Sequence, residues 1–275
     1  MSIKASVIIS TYNQSEWLRK VLIGYEQQLI KDFEIIIADD GSTEETKEII
    51  DNFKKKSSFR LTHIRQEDNG FQKTKILNKA ILASTSDYLI MTDGDCIPRK
   101  DFVLKHINLR KPNCFLSGGY FKLPESISSF ISDEDIKKQL CFDKKWLLSR
   151  GLKSSFKLNK LTAFGIKERL LNTFTPTKAT WDGMNASGWK TDILKINGFD
   201  ERMGYGGEDR EFGERLVNLG IKPIQIRYSA ICVHLYHNRG YKNKESIISN
   251  LKIRKNTRFQ KIIKTPFGIE KLETK

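Results

Sequence analysis

No apolar run in the sequence approaches the eighteen or more residues of a membrane-spanning helix, and residues 1–6 show no basic segment leading into an apolar one. It therefore predicts neither a transmembrane helix nor a cleaved leader. Cysteine is scarce. The four, Cys96, Cys114, Cys141 and Cys232, are scattered without a CxxC pair, which argues against a zinc site and a disulfide framework and suits a reducing compartment. No GxGxxG follows an apolar run and no GxxxxGK[ST] occurs, so a dinucleotide oxidoreductase and a P-loop enzyme are disfavoured. Internal repeats and low-complexity tracts are missing as well. Together these absences predict a cytoplasmic protein, free or peripheral on the inner face of the cell membrane.

What is present suffices for one large domain: 275 residues, 39% of them hydrophobic. The net charge of +15 is unevenly placed. Residues 1–110 hold 17 Lys+Arg against 16 Asp+Glu, residues 111–178 hold 13 against 6, residues 179–237 hold 7 against 8, and residues 238–275 hold 11 against 3. Two basic blocks thus flank a neutral body, which is not the distribution of a nucleic-acid binder. It suits an anionic partner such as phospholipid head groups, a lipid diphosphate or an acidic glycan, while solvated faces are the plainer reading of the middle block. In the tail, Arg239, Lys242, Lys252, Arg254, Lys255, Arg258, Lys261 and Lys264 would meet an anionic surface.

Apolar periodicity in the first half alternates short runs with amphipathic stretches. Residues 5–10 (ASVIIS), 34–38 (EIIIA), 61–65 and 87–91 (DYLIM) read as strands, and 17–29 and 74–83 as helices. Asp40-Gly41-Ser42-Thr43 caps a further helix through Ile49, Ile50 and Phe53, with Glu44 and Glu45 where the helix dipole favours anions. The pattern predicts an α/β fold with a Rossmann-like, mostly parallel sheet flanked by helices. After Phe115 it loosens, and residues 120–178 offer one helix over 133–148 and no strand alternation. Regularity returns over 194–199, with a helix at 208–219 and a last strand at 224–233. The resulting division is a catalytic domain over 1–240, made of a nucleotide-binding half (1–110), a variable basic insertion (111–180) and an acceptor half (181–240). A basic tail (241–275) with an apolar pattern around Ile247, Ile248 and Leu251 follows.

Carboxylates gather at predicted strand C-terminal ends, where open α/β sheets bind ligands. Asp39-Asp40 ends the second strand and Asp93-Gly94-Asp95 the fourth. A DxD triplet alone is weak, because Asp133-Glu134-Asp135 has the same form in a polar helical stretch, where helix capping explains it. The first triplet follows a strand and has glycine between its acids, so the backbone can approach a ligand closely. Two acids so placed can hold a hard cation from one side and leave its other positions to diphosphate oxygens.

Ser10-Thr11-Tyr12-Asn13, Asp39-Asp40-Gly41-Ser42 and Asp93-Gly94-Asp95, in this order and spacing, resemble family 2 glycosyltransferases of the GT-A fold. Gly204-Tyr205-Gly206-Gly207-Glu208-Asp209, followed by Phe212 and Arg215, resembles the C-terminal segment of β-1,4-galactosyltransferases. With the stretch from Arg65 to Gln72 between them, the set is similar to bacterial transferases of the chondroitin polymerase type. The resemblance covers residues 5–110 and 180–237 and fails over 120–178.

By that resemblance, Thr11 and Tyr12 pack against the nucleotide base, Asp40 or Asp39 reads its imide, and Arg65 and Lys75 meet phosphate or sugar. Asp93 and Gly94 lie near the ribose, and Asp95, with Asp93 beside it, is a ligand of Mn2+ or Mg2+. A His after the last strand supplies a further ligand: His234 is the first choice and His237 the second. Glu208 and Asp209 are the catalytic acids, although capping alone would also explain acids at a helix start. Trp181, Asp182, Asn185, Ser187, Tyr205 and Gly207 form the acceptor and sugar side, with Tyr205 standing where the galactosyltransferases have Trp.

The implied reaction is an inverting, metal-dependent transfer of a hexose or N-acetylhexosamine from a nucleotide-diphosphate sugar, UDP-linked, to the hydroxyl of a glycan or lipid-linked saccharide. Asp209, kept ionised at a helix start, takes the proton. The rivals are a sugar nucleotidyltransferase, which would carry a basic glycine-rich N-terminal loop that residues 10–14 lack, and a non-catalytic glycan-binding protein.

Overall fold

The computed structural model describes residues 3–238 and 243–271, so Arg239 and Lys242 lie outside the described residues. The chain runs β1 (Ala5–Thr11), α1 (Ser15–Glu26), β2 (Phe33–Asp39), α2 (Glu44–Lys56), β3 (Arg60–Arg65), α3 (Lys73–Ala83), β4 (Tyr88–Asp93), β5 (Cys96–Pro98) and α4 (Phe102–Leu109). Strands β6 (Cys114–Ser117) and β7 (Gly119–Lys122) follow, then the short helices α5 (Glu125–Phe130), α6 (Asp133–Lys137), α7 (Lys144–Ser149), α8 (Asn159–Thr162) and α9 (Gly165–Phe174). The last part holds β8 (Ala186–Trp189), α10 (Lys190–Lys195), α11 (Glu208–Asn218), β9 (Lys222–Gln225), β10 (Ile231–His234) and α12 (Lys244–Phe259).

Among the described residues one sheet has the order β3-β2-β1-β4-β8-β6-β9, and a second the order β5-β10-β7. Strands β1 to β4 run parallel, and β8 is antiparallel to both neighbours. Every residue of β1 and β2 is buried, as continuous apolar runs in a sheet covered on both faces require. Each wholly buried Ile or Val there contributes about 1.5–3 kcal/mol before chain entropy is counted. Strand order turns back between β1 and β4, which opens a crevice at their C-terminal ends. The small sheet sits beside it, because β10 pairs with β5 in a register that sets His234 opposite Cys96.

The second half departs from the periodicity. The helix expected over 133–148 is broken into α6 and α7, because Gln139 adopts φ +59 and Asp143 starts a new helix by accepting from Trp146 N at 2.7 Å. The single strand expected over 224–233 is two strands in different sheets, separated by a turn in which Ser229 N donates to Ile226 O. Regularity at 194–199 is the end of α10 and a left-handed pair, Asn197 (φ +66) and Gly198 (φ +68). The segment expected as an insertion supplies β6 and β7, one to each sheet. Residues 244–259 are helix α12, packed on α11. Among the described residues no helix is long and apolar enough to cross a membrane.

Candidate active site

A cleft of about 570 Å³ lies over the β1/β4 crevice, lined among others by Thr11, Tyr12, Asp40, Lys73, Asp93, Gly94, Asp95, Asp182, Tyr205, Gly207, Glu208, Asp209, His234 and His237. Its floor is set by strand register. Ser10 and Asp93 are partners across β1 and β4, Ser10 Oγ donates to Asp93 Oδ1 at 2.6 Å, and Gly94 N donates to Ser10 O at 2.7 Å. A Cβ on Gly94 would lie 3.0 Å from Thr11 Oγ1, so glycine permits this close crossing.

Beyond Gly94, Asp95 is placed by the second sheet. Leu235 N donates to Asp95 O at 2.9 Å, which holds the loop after β10 against it. His237 Nε2 stands 3.1 Å and His234 Nε2 3.7 Å from Asp95 Oδ2, and one ligand atom from each of the three residues lies within 4.8 Å of the others. Both histidines therefore belong to one cluster. Burial alone would raise the Asp95 carboxyl, yet the two imidazoles hold it below the usual value. One carboxylate oxygen and two imidazole nitrogens converging on a point form a donor set that fits a first-row divalent cation. Asp93 stands outside this cluster, its Oδ1 lying 2.7 Å from Lys73 Nζ.

The opposite wall is the start of α11. Gly206 (φ +107) and Gly207 (φ +96) occupy the left-handed region in consecutive positions, a path open to glycine. Helix α12 holds this turn. Asn250 Nδ2 donates to Gly204 O at 2.8 Å and Gly206 O at 3.0 Å, and Ser246 Oγ donates to Tyr205 O at 3.2 Å. Glu208 Oε2 accepts from Gly206 N at 2.9 Å, which occupies that carboxylate with its own turn. Asp209 is different. Its Oδ1 is buried and has no hydrogen-bond partner, and its carboxyl lies so close to Gly183 that a Cβ there would be 2.7 Å from either oxygen.

The ionised Asp209 expected from the helix dipole is not what this environment gives. Burial first, then the Glu208, Asp93 and Asp182 carboxylates, push Asp209 up to about 8 against the pull of Lys73. A dipole contribution at one helix end is smaller than this desolvation. Lys73 is in turn held well above its ordinary value, with burial opposed by Asp93, Asp209 and Glu208. Burial also raises Asp182.

Several residues expected here stand elsewhere. Asp39 faces away from the cleft, its Oδ1 accepting from Ser42 N at 2.8 Å and its Oδ2 2.8 Å from His63 Nε2. Arg65 donates to Ser42 O at 2.6 Å, outside the lining. Lys75 is likewise outside; Lys73 is the lysine that enters. Trp181 is a fully buried core ring against Phe115 and Phe212. Asn185 donates to Gly119 O in β7 and to Ala230 O just before β10, and Ser187 Oγ is bonded to Tyr88 and His106, so neither side chain lines the cleft. Tyr12 and Asp40 do line the cleft, Tyr12 donating to Asp68 Oδ2 and Asp40 accepting from Gln66 Nε2 and Gln72 N.

Reasoning from sequence missed Lys73, Tyr120, Lys122 and Arg210. For Lys73 a signal existed: it lies three and four residues before the buried Ile76 and Leu77, hence on the inward face of α3, whereas Lys75 does not. A second cavity of about 400 Å³ adjoins the first, sharing Tyr120, Asp182 and Arg210 and adding Lys160, Lys178 and Arg227.

Two family models match. Residues 6–115 match glycosyl transferase family 2, and residues 177–238 match the N-terminal domain of galactosyltransferase. Among curated proteins, the chain is 29% identical to an uncharacterized glycosyltransferase, YfnE, of Bacillus subtilis, over 90% of this chain and 69% of that one. It is 28% identical to a chondroitin synthase of Escherichia coli, over 78% of this chain but 32% of that one, so it spans about a third of that relative. Among solved structures, GalNAc-T7 with UDP, GalNAc and Mn2+ shares the fold at a TM-score of 0.63 and 14% identity, over 94% of this chain and 50% of that one. Over residues 6–115 the chain thus carries the features of glycosyl transferase family 2, and over residues 177–238 a segment shared with galactosyltransferases.

Proposed function

We propose that the protein transfers a hexose or N-acetylhexosamine from a UDP-linked sugar to an acceptor hydroxyl, with inversion, in the synthesis of a cell-surface polysaccharide or lipopolysaccharide. The observation that carries this reading is the buried, unpartnered Oδ1 of Asp209 at the same cleft as the Asp95, His234 and His237 cluster. Thr11 and Tyr12 at the end of β1 pack against the base, and Asp40 accepts from its imide. A divalent cation, Mn2+ or Mg2+, held by Asp95, His234 and His237 supplies charge neutralisation for the departing diphosphate. GalNAc-T7, solved with UDP and Mn2+, supports that choice.

Asp209 Oδ1 accepts the proton of the acceptor hydroxyl as its oxygen bonds to the anomeric carbon. The bond from that carbon to the diphosphate oxygen breaks, its electron pair leaving with the nucleoside diphosphate. Glu208, committed to Gly206 N, positions the turn. Lys73 balances the charge of Asp93, Glu208 and Asp209, so that a base of raised pKa remains close to its working pH.

The direct experiment offers a panel of nucleotide sugars with and without divalent cation and reads nucleotide release, then the anomeric configuration of the product by NMR. Release from a UDP-sugar that requires the cation, with an inverted product, is expected; a retained configuration would contradict the single displacement. The pH dependence is a second check. Because kcat/KM reports the base of the free enzyme, it should rise with pH and level off above about 8, where Asp209 has lost its proton. A profile flat from pH 6 to 9 would remove Asp209 from the role.

A further inference from the structure

Helix α9 lies on the surface with its polar side inward. Glu168, its one buried residue, takes Lys105 Nζ at 2.8 and 2.9 Å and the hydroxyl of Ser229. Asn172, one turn on, donates to Ser229 Oγ at 2.8 Å and accepts from Tyr228 N at 3.0 Å. These bonds fix which way the helix faces. At 100° per residue, Ile166, Leu170 and Phe174 then form a stripe on the side opposite Glu168 and Asn172, aimed straight away from the body. They are 77%, 51% and 75% exposed, and Phe156 and Phe164 nearby are 70% and 58% exposed.

An apolar stripe turned outward is the reverse of what core packing produces. Its surroundings say what would cover it. Residues 150–178 carry seven Lys+Arg and one acid, and that acid is the buried Glu168. Lys167 and Arg169 flank the stripe on α9 itself, and Lys153, Lys157 and Lys178 are exposed on either side of it in the chain. Two such faces from two copies would oppose cation to cation. An anionic bilayer answers both features, with headgroup charge for the cations and an acyl boundary for the apolar ridge.

We propose that α9 is a membrane-docking helix, seating the protein on anionic phospholipid through Ile166, Leu170 and Phe174 inside a ring of Lys and Arg. The second cavity lies at the end of this helix, since it is lined by Thr177 and Lys178, and Arg227 on its wall donates to Thr177 Oγ1 at 3.1 Å. A docked molecule therefore opens that cavity towards the leaflet, where an acceptor carried on a lipid would arrive. This inference stands independently of the donor and of the catalytic base.

The test is co-sedimentation of the full chain with vesicles of phosphatidylcholine alone and of phosphatidylcholine with phosphatidylglycerol. Binding is expected for the anionic vesicles and should weaken with salt. A triple variant, Ile166→Ser with Leu170→Ser and Phe174→Ser, should bind about tenfold less at an unchanged melting temperature. A second variant with Lys153, Lys157, Lys167 and Arg169 each changed to Gln should lose a similar factor through charge alone. Both should retain nucleotide release from the donor. Undiminished partitioning of both variants would overturn the proposal. So would a solution dimer that the triple variant dissociates, since a second copy would then be the occupant.

Discussion

Asp209→Asn is expected to lower the rate of sugar transfer by ~10² to 10⁴ while leaving donor binding nearly unchanged. The substitution keeps the volume beside Gly183 but replaces a basic carboxylate by an amide that does not accept a proton. Glu208→Gln, which can still accept from Gly206 N through its amide oxygen, should be the milder change. A stability measurement separates this from simple damage. The folded Asp209 titrates at about 8 against an ordinary 3.8, so ionising it inside the protein is unfavourable. Below the ordinary value both folded and unfolded chains hold the proton and there is no penalty. The penalty grows as pH rises above 3.8 and is complete above about 8. Asn carries none, and Asp209→Asn should therefore melt above the parent at pH 7, with the gap closing near pH 4. A variant that is both fully active and no more stable than the parent would show that Asp209 is neither buried in this way nor the base.

Asp95→Ala is expected to abolish transfer and divalent-cation binding together, since it removes the one oxygen ligand of the cluster and leaves two imidazoles. The fold should survive. The Asp95 carboxyl meets Cys96 Sγ and the two imidazoles, whereas the β5–β10 backbone pairing and the bond from Leu235 N to the Asp95 backbone oxygen are untouched by the change. Cation titration followed by calorimetry and a far-UV spectrum reads both points. Full activity of Asp95→Ala, or of the parent in excess chelator, would exclude the assigned site.

The nucleotide-binding half was legible because its strands are buried on both faces, so that each appears as a bounded apolar run such as 34–38. The middle was not. Its helices are five to ten residues or shorter, too brief for a 3.6-residue period to accumulate, and β8 (ASGW) alternates nothing and holds a glycine. The site followed the same division. Acids at strand ends are readable from position alone, and Asp93, Asp95 and Asp209 all reach the cleft. Trp181, Asn185 and Arg65 do not, because sequence proximity to a motif says nothing about which side of the backbone a residue faces. The environment of Asp209 was unreadable for a further reason: beside Glu208 in its own helix, it is made by Gly183 against the carboxyl and by the charges of Lys73, Asp93 and Asp182, all distant in sequence.

The bonds from Asn250 to the Gly204–Gly206 turn span 46 and 44 residues of chain and come from near the C-terminal end of the fold. Helix α12 follows closely on β10, whose His234 lines the same cleft, so the two walls of the cleft are completed together, by the end of the described chain. A chain lacking α12 would keep the β1 and β4 strand ends but lose the bonds from Asn250 and Ser246 that shape the turn leading into Asp209. On the function proposed above, α12 would then act as a checkpoint, since a molecule in which it has not closed could not present Asp209 to an acceptor.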